Sequence, residues 1–66
     1  MRITLNGDPF DLDGPLSIQA LLDQLKVDGR TVAVEHNLIV IKRANYADTM
    51  VTEGSEVEIV AFVGGG

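Results

Sequence analysis

Three consecutive glycines, Gly64 to Gly66, stand at the end of the sequence and are the residues best placed to do chemistry. They follow the strand-like run 56–63 directly, without a polar linker residue between the two. Because glycine has no Cβ, such a segment can enter a slot that is too narrow for side chains. An extended chain from Val63 to Gly66 reaches roughly 13 Å beyond the fold. The pattern is consistent both with a tail that enters the active site of another protein and with a frayed terminus without function.

The reactive group of this tail would be the α-carboxylate of Gly66, with Gly64 and Gly65 giving it access. A terminal carboxyl group has a pKa of about 3.3–3.7 and is therefore ionised at neutral pH. An ionised carboxylate is a weak nucleophile and a very poor acyl donor. A partner enzyme that binds ATP could let it attack the α-phosphate, and the acyl-adenylate that forms is an activated acyl group. The tail would then be a substrate for another enzyme.

Length and composition limit what else the chain could do. Sixty-six residues form one domain close to the lower limit for an independent core, which leaves little room for a catalytic pocket. The absence of cysteine excludes disulfides, thiolate metal sites and a cysteine nucleophile. The single histidine, His36, has no second histidine or cysteine with which to share a metal, so no metal site is predicted and His36 is expected at the surface, at a strand end.

The charge distribution indicates which kinds of partner the chain can bind. Ten acidic residues against five basic ones give a net charge of −5, which argues against nucleic acid as a partner. From residue 44 onward there is no Lys or Arg, so this half is expected either to face a basic partner surface or simply to keep the protein soluble. The cations Arg30, Lys42 and Arg43 could pair with acidic residues of a partner or with the protein's own. The chain opens in a strand pattern and has no apolar run long enough for a bilayer, so we expect a cytoplasmic protein without a membrane partner.

The elements that must hold the tail are predicted from short periodic patterns. Residues 1–5 alternate as a strand, Asn6-Gly7 is a hairpin turn, and a second strand over 9–13 begins with Pro9, which suits a sheet edge. Ser17 is the predicted N-cap of a helix that ends by Asp28-Gly29. The apolar stripe of this helix consists of Ile18, Leu21, Leu22 and Leu25.

Three more strands are predicted after the helix, over 32–35, 38–41 and 56–63, with turns at Asn37 and at 53–55. Residues 45–50 are expected to form a loop with at most one helical turn, and Tyr46 to fill the space beneath it. The element order is therefore ββαββ plus a final strand, an α+β domain in which one helix packs on one face of a mixed sheet of four to five strands. The domain spans residues 1–63, and a flexible tail spans 64–66.

Two rows of side chains alternate along the last strand. The apolar row, which we expect to face the helix, consists of Val57, Ile59, Ala61 and Val63. The other row begins with two glutamates and becomes apolar at Val60 and Phe62. If that face is uncovered, these two side chains form a partner-binding patch beside the tail. The alternative is that the loop 45–52 folds back over them.

Several of these features together resemble a known family. They are the β-rich order around one helix, Asn37 shortly before an Ile-Val pair, Arg43 with Tyr46 three residues later, and the run EGSEVEIV before a glycine terminus. This pattern, which covers essentially the whole chain, is similar to that of the ThiS family. These are the sulfur carrier proteins of thiamine biosynthesis, small members of the ubiquitin-like β-grasp group. The chain departs from it at Leu38-Ile39, where many relatives have a Gly-Glu turn, and at Lys42, where proline is frequent.

The resemblance implies a carrier that is not itself an enzyme. In the family the terminal glycines, here Gly65-Gly66, are adenylated by an ATP-dependent, E1-like adenylyltransferase and converted to a thiocarboxylate by a sulfur donor protein. The thiocarboxylate is then delivered to thiazole synthase. ATP is used by the partner, and the chain is expected to bind no cofactor. The alternatives are a related carrier such as the small subunit of molybdopterin synthase, a ubiquitin-like protein modifier, and a plain interaction module.

Overall fold

A five-stranded mixed sheet with one helix on one face organises residues 1–62, which are the residues that the computed structural model describes. The strands are β1 (Arg2–Leu5), β2 (Asp8–Asp11), β3 (Leu16–Ser17), β4 (Val32–His36), β5 (Ile39–Ile41), β6 (Met50–Val51) and β7 (Glu56–Ala61). The helix α1 covers Ile18–Gln24, and short 3₁₀ turns cover Gly29–Thr31 and Arg43–Asn45.

The sheet has the strand order β2-β1-β7-β4-β5, so the last strand lies at its centre. The pair β1–β7 is parallel, whereas β1–β2, β4–β7 and β4–β5 are antiparallel. Buried side chains of the helix pack against buried side chains of β1, β4 and β7, and these form the core. The predicted α+β class, with one helix on one face of a four- to five-stranded sheet, is confirmed.

A separate small sheet was not predicted from the sequence. Strand β3 lies just before the helix, and strand β6 lies just before the last turn. Each has two residues, and the two strands pair with each other. Their pairing draws the long connection between β5 and β7 against the start of α1, where the backbone N–H of Ile18 also donates to the carbonyl of Thr49 at 2.9 Å. The predicted loop over 45–50 is therefore a 3₁₀ turn followed by a short strand.

The first hairpin has the predicted turn. Asn6 and Gly7 both have positive φ, at 50° and 86°, as a two-residue turn of this kind requires. Strand β2 lies at the sheet edge, as Pro9 predicted, but it ends at Asp11 because Leu12 leaves the strand and is buried in the core. The side chain of Asn6 ties the turn to the last strand, since its Oδ1 accepts from the backbone N–H of Ile59 at 2.7 Å.

The helix begins as predicted and ends earlier. The Ser17 hydroxyl accepts from the backbone N–H of Ala20 at 3.0 Å, which confirms the N-cap. Ile18, Leu21 and Leu22 are fully buried. Leu25, which was expected to continue the helical stripe, is instead the C-cap, and the chain reverses after it. The helix thus ends well before Asp28-Gly29.

The apolar row of the last strand faces the helix side as predicted, but its burial decreases along the strand. Val57 is buried, Ile59 is half-buried and Ala61 is exposed, although Ile59 and Ala61 lie opposite Val34 and Val32, which are buried on the helix side. Ile59 and Ala61 line a cleft of about 570 Å³ together with residues 25–28, which follow the helix. Val63, the last member of the predicted row, lies outside the described residues.

The turn between β4 and β5 holds an unfavourable backbone conformation. Both of its residues, Asn37 and Leu38, have positive φ, at 51° and 72°. Asparagine tolerates this region, and the Asn37 side chain also accepts from the backbone N–H of Glu56 at 2.8 Å. Leucine does not tolerate it, and 84% of the Leu38 side chain is exposed, so little packing compensates the strain.

We therefore expect Leu38→Gly to stabilise the domain. A left-handed conformation costs a residue with a Cβ about 1–2 kcal/mol, part of which glycine recovers. A gain of about 1 kcal/mol raises the melting temperature of a domain of this size by roughly 4–8 °C, which thermal unfolding followed by circular dichroism can measure. Leu38→Ala is the matched control, since it also removes the exposed side chain but keeps the Cβ. An equal rise for both variants would show that the side chain, and not the backbone, is responsible.

Candidate functional site

The predicted reactive residues Gly64, Gly65 and Gly66 lie outside the described residues. The structure describes the surface from which the chain continues toward them. Phe62 is the last residue of that surface, and its backbone N–H donates to the carbonyl of Thr31 at 2.9 Å. This bond fixes the direction of the chain one residue beyond the end of β7.

The two residues predicted to bind partners, Val60 and Phe62, are uncovered in the structure. Their exposed fractions are 56% and 68%, so the alternative in which the loop 45–52 covers them is wrong. Val60 lies opposite Ala33 on the face of the sheet that points away from the helix, since the neighbouring residue Val34 is buried on the helix side. Their role in binding stays a prediction.

A third exposed side chain belongs to the same surface. Val40 lies on the edge strand β5 with 69% of its side chain exposed, and it is opposite Glu35, which faces away from the helix. Val40 and Phe62 line one cleft together with Ala33. We refer to Val40, Val60 and Phe62 as the apolar patch. Exposed apolar side chains that lie side by side are typical of surfaces that bind other proteins.

The same face also carries acidic side chains, and one of them is next to Val40. Glu35 lies directly opposite Glu58 in the antiparallel pair β4–β7, and Glu56 precedes Glu58 by two residues. Like charges in directly opposite positions of a sheet are unfavourable. The outer face therefore changes from acidic to apolar along β7, in the direction in which the chain runs toward Gly66.

Tyr46 has the structural role that the sequence predicted. Only 2% of it is exposed, and its backbone carbonyl accepts from the N–H of Gln19 in the helix at 3.0 Å. The ring packs so closely on Gly29 that a Cβ at that position would lie 3.1 Å from Cε2 of the ring. Tyr46 thus holds the segment after β5 firmly on the domain.

His36 contacts a buried side chain of its own domain. Its Nε2 lies 3.0 Å from the hydroxyl of Ser55, which is buried and accepts from the backbone N–H of Thr52 at the same distance. A hydroxyl held in this way closes the turn before β7 and is inaccessible as a nucleophile. Within residues 1–62, no three His, Asp or Glu side chains lie close enough together to hold a metal ion.

Two ion pairs account for two of the arginines. Arg2 contacts Asp11 and Arg30 contacts Asp28, each at 2.8 Å. Hydrogen bonds from the side chain and backbone of Arg30 lower the pKa of Asp28 to about 2, with a smaller contribution from the charge of Arg43. What this pair adds to stability is present above the ordinary pKa of aspartate and is lost as the pH falls toward 2. Both pairs are exposed to solvent, so we expect little stability from either.

In the pair Arg2–Asp11, the hydrogen bond from the Arg2 side chain lowers the pKa of Asp11. The same hydrogen bond raises the pKa of Arg2. The pair Arg30–Asp28 borders the apolar patch, since Arg30 lines the same cleft as Val40 and Phe62. No helix among the described residues has the length and hydropathy that crossing a bilayer requires. The geometry over residues 1–62 is thus that of a folded body with exposed apolar side chains at the apolar patch.

Comparisons with known proteins agree with this geometry. A family model described as the ThiS family matches residues 3–66. A crystal structure of the thiamine biosynthesis protein (ThiS) from Geobacter metallireducens is 40% identical and has a TM-score of 0.89, with all of both chains covered. The solution structure of a thiamine biosynthesis protein from the same organism has a TM-score of 0.82, also at 40% identity, and covers all of this chain and 88% of that one.

Curated relatives include longer proteins. A thiazole synthase from Paramagnetospirillum magneticum is 42% identical over all 66 residues, which amount to 20% of its own length. The uncharacterized protein ycf40 from Porphyra purpurea is 36% identical, with all of this chain and 93% of that protein covered. The chain therefore spans a fifth of the length of the thiazole synthase that it matches and nearly all of the algal relative.

Proposed function

The chain belongs to the ThiS family, whose members are small sulfur carriers of thiamine biosynthesis and not enzymes, and from this we propose that Gly66 carries the sulfur for thiazole formation. The observation that carries the proposal is the family match over residues 3–66, which includes the three glycines. The uncovered apolar patch at the end of β7 supports it, because a tail that enters another enzyme needs an anchoring surface beside it.

The proposed chemistry takes place in two steps on the carboxyl group of Gly66. In an E1-like adenylyltransferase, a carboxylate oxygen attacks the α-phosphate of ATP, and pyrophosphate leaves. Hydrosulfide (HS⁻) delivered by a donor protein then attacks the acyl carbon, displaces AMP and loses its proton, which leaves a thiocarboxylate at Gly66. This chain supplies the carboxyl group, whereas the partner binds ATP. The thiocarboxylate stores sulfur in a chain that has no cysteine.

The described residues would contribute binding and orientation. Val60 and Phe62 would dock on the partner and thereby place the following residues at its active site. Glu35, Glu56 and Glu58 on the same face would meet basic side chains of the partner, and complementary charges would make association faster and more selective. A cytoplasmic location stays a prediction.

The relatives favour thiazole synthase as the receiving enzyme. Proteins named thiazole synthase contain a region that matches the whole of this chain, which points to the thiamine pathway. Neither the small subunit of molybdopterin synthase nor a ubiquitin-like protein modifier has comparable support. The following experiment distinguishes a protein modifier from a carrier, whereas binding to thiazole synthase, described further below, tests which carrier the chain is.

The proposal predicts a change in intact mass. After incubation with ATP, the adenylyltransferase and a sulfur source, mass spectrometry should show that one oxygen of the chain has been replaced by sulfur. Fragmentation should place the change at Gly66, and omission of ATP should prevent it. Covalent ladders joined to other proteins would favour the modifier. An unchanged mass with active partner enzymes would contradict the proposed function.

A further inference from the structure

A cleft beside the apolar patch has a composition that the docking of an apolar surface does not explain. It has a volume of about 330 Å³ and is lined by two arginines, a tyrosine and apolar side chains, among them Arg30, Ala33, Val40, Arg43, Tyr46 and Phe62. We refer to it as the arginine cleft. One wall is fixed, because Tyr46 is buried and packs on Gly29.

The charge of the arginine cleft is opposite to that of the protein. Three of the five basic residues in a chain of net charge −5 lie at the cleft or next to it in sequence, namely Arg30, Lys42 and Arg43. Arg30 is held by Asp28 through contacts of its side chain with both carboxylate oxygens. For Arg43, no carboxylate oxygen within residues 1–62 lies within 4.0 Å.

An arginine in this setting is suited to bind a carboxylate. The guanidinium presents its N–H donors in a planar arrangement that matches the two oxygens of a carboxylate. The exposed side chains of Val40 and Phe62 border the same cleft, so a partner that covers them also removes water from around Arg43. Removing water strengthens a charged hydrogen bond, provided that both charges are paired.

We propose that the arginine cleft receives a carboxylate side chain of the protein partner, flanked by an apolar side chain that packs on Val40 and Phe62. The partner to which we assign it is thiazole synthase, and in this respect the inference rests on the proposed function. The acidic pair Glu35 and Glu58 lies on the same face, and Glu35 is directly opposite Val40 of the arginine cleft. A partner bound in the reversed direction would bring its carboxylate to these glutamates, where like charges repel. The arginine cleft thus selects one direction of docking.

The test is a titration of purified thiazole synthase with the fluorescently labelled chain, followed by anisotropy at low and at moderate salt. We expect Arg43→Glu to weaken binding about tenfold or more, and Arg43→Gln to weaken it less. The matched control is Lys26→Glu, which makes the same change in net charge after the helix, outside the arginine cleft. Lys26→Glu should change the Kd less than about twofold, the size expected of a charge outside the contact. Thermal unfolding of each variant shows that the fold is kept.

The results of these measurements distinguish the possible occupants of the arginine cleft. Equal weakening by Arg43→Glu and Lys26→Glu, or no weakening by either, overturns the proposal, and so does a wild-type chain that does not bind thiazole synthase. If inorganic phosphate competes with the enzyme in a way that requires Arg43, the cleft is a site for small anions and the proposal is wrong. Self-association of the chain that requires Arg43, measured by sedimentation, would make a second copy the occupant and would also overturn it.

The mass measurement keeps this inference distinct from the proposed function. A chain that gains sulfur normally but binds thiazole synthase independently of Arg43 overturns the role of the arginine cleft alone. A chain that binds thiazole synthase through Arg43 but never gains sulfur contradicts the carrier function and leaves the cleft as a docking site.

Discussion

Deletion of Gly66 is expected to abolish sulfur incorporation while leaving the unfolding free energy within about 0.5 kcal/mol of that of the full chain. In the proposed function the reacting group is the carboxyl group of that residue, and its removal would draw the new terminus back by about 3.5 Å from the activating nucleotide. The buried hydrophobic residues that form the core all fall between Ile3 and Val57 in the sequence, so we expect the fold not to depend on the last residue. Intact mass after incubation with ATP, the adenylyltransferase and a sulfur source measures the first effect, and denaturant unfolding measures the second.

A chain with one additional glycine after Gly66 is the matched control. It keeps every native residue and moves the carboxyl group outward by about the same 3.5 Å. Loss of sulfur incorporation in both variants would show that the position of the carboxyl group is decisive. A chain without Gly66 that gains sulfur at the normal rate, or one whose stability falls clearly, would contradict a tail that serves only as a substrate.

Phe62→Asp is expected to weaken binding to thiazole synthase by about a hundredfold, which corresponds to about 2.7 kcal/mol. An aromatic side chain at the centre of an interface supplies much of the binding energy of that interface. The aspartate that replaces it would be dehydrated on binding without a partner for its negative charge. Because 68% of Phe62 is exposed in the free chain, the stability of the domain should change little. Anisotropy titration and thermal unfolding measure the two effects.

Met50→Asp controls for the added negative charge. Met50 has an exposed fraction of 50% and lies on β6 in the separate two-stranded sheet, so the same substitution there should leave the affinity unchanged. If Phe62→Asp unfolds the domain, the side chain packs on its own protein and not on a partner. If both variants weaken binding equally, general charge repulsion is responsible and the apolar patch is not the docking surface.

The features that the sequence predicted correctly depend on neighbours along the chain. The turn at Asn6-Gly7 and the cap at Ser17 each follow from the conformational preferences of one or two residues. The exposure of Val60 and Phe62 follows from alternation along a strand together with the limited size of the chain, in which one helix covers one face.

The features that the sequence did not predict depend on residues that are distant in the chain. The side chain of Asn6 bonds to Ile59, a separation of 53 residues, and no local pattern indicates this contact. Strands β3 and β6 are too short to produce an alternating pattern, since each has two residues. The arginine cleft has the same origin, because Arg43 and Phe62 meet only when β4 lies between β5 and β7.

The length of the helix was a further source of error. The apolar stripe extends to Leu25, and the periodic pattern alone does not show that the chain leaves the helix after Gln24. Lys26 then adopts a positive φ of 59°, which reverses the chain direction. The residues that follow the helix then line an open cleft together with Ala61 on β7, which is exposed.

The central position of β7 has a consequence for the order in which the domain folds. It pairs on one side with β1 and on the other side with β4. The two hairpins β1–β2 and β4–β5 therefore have no strand that joins them until β7 pairs, and contacts across such sequence distances form late. We expect the sheet to be completed only when β7, the strand that carries Val60 of the apolar patch, inserts between the two hairpins.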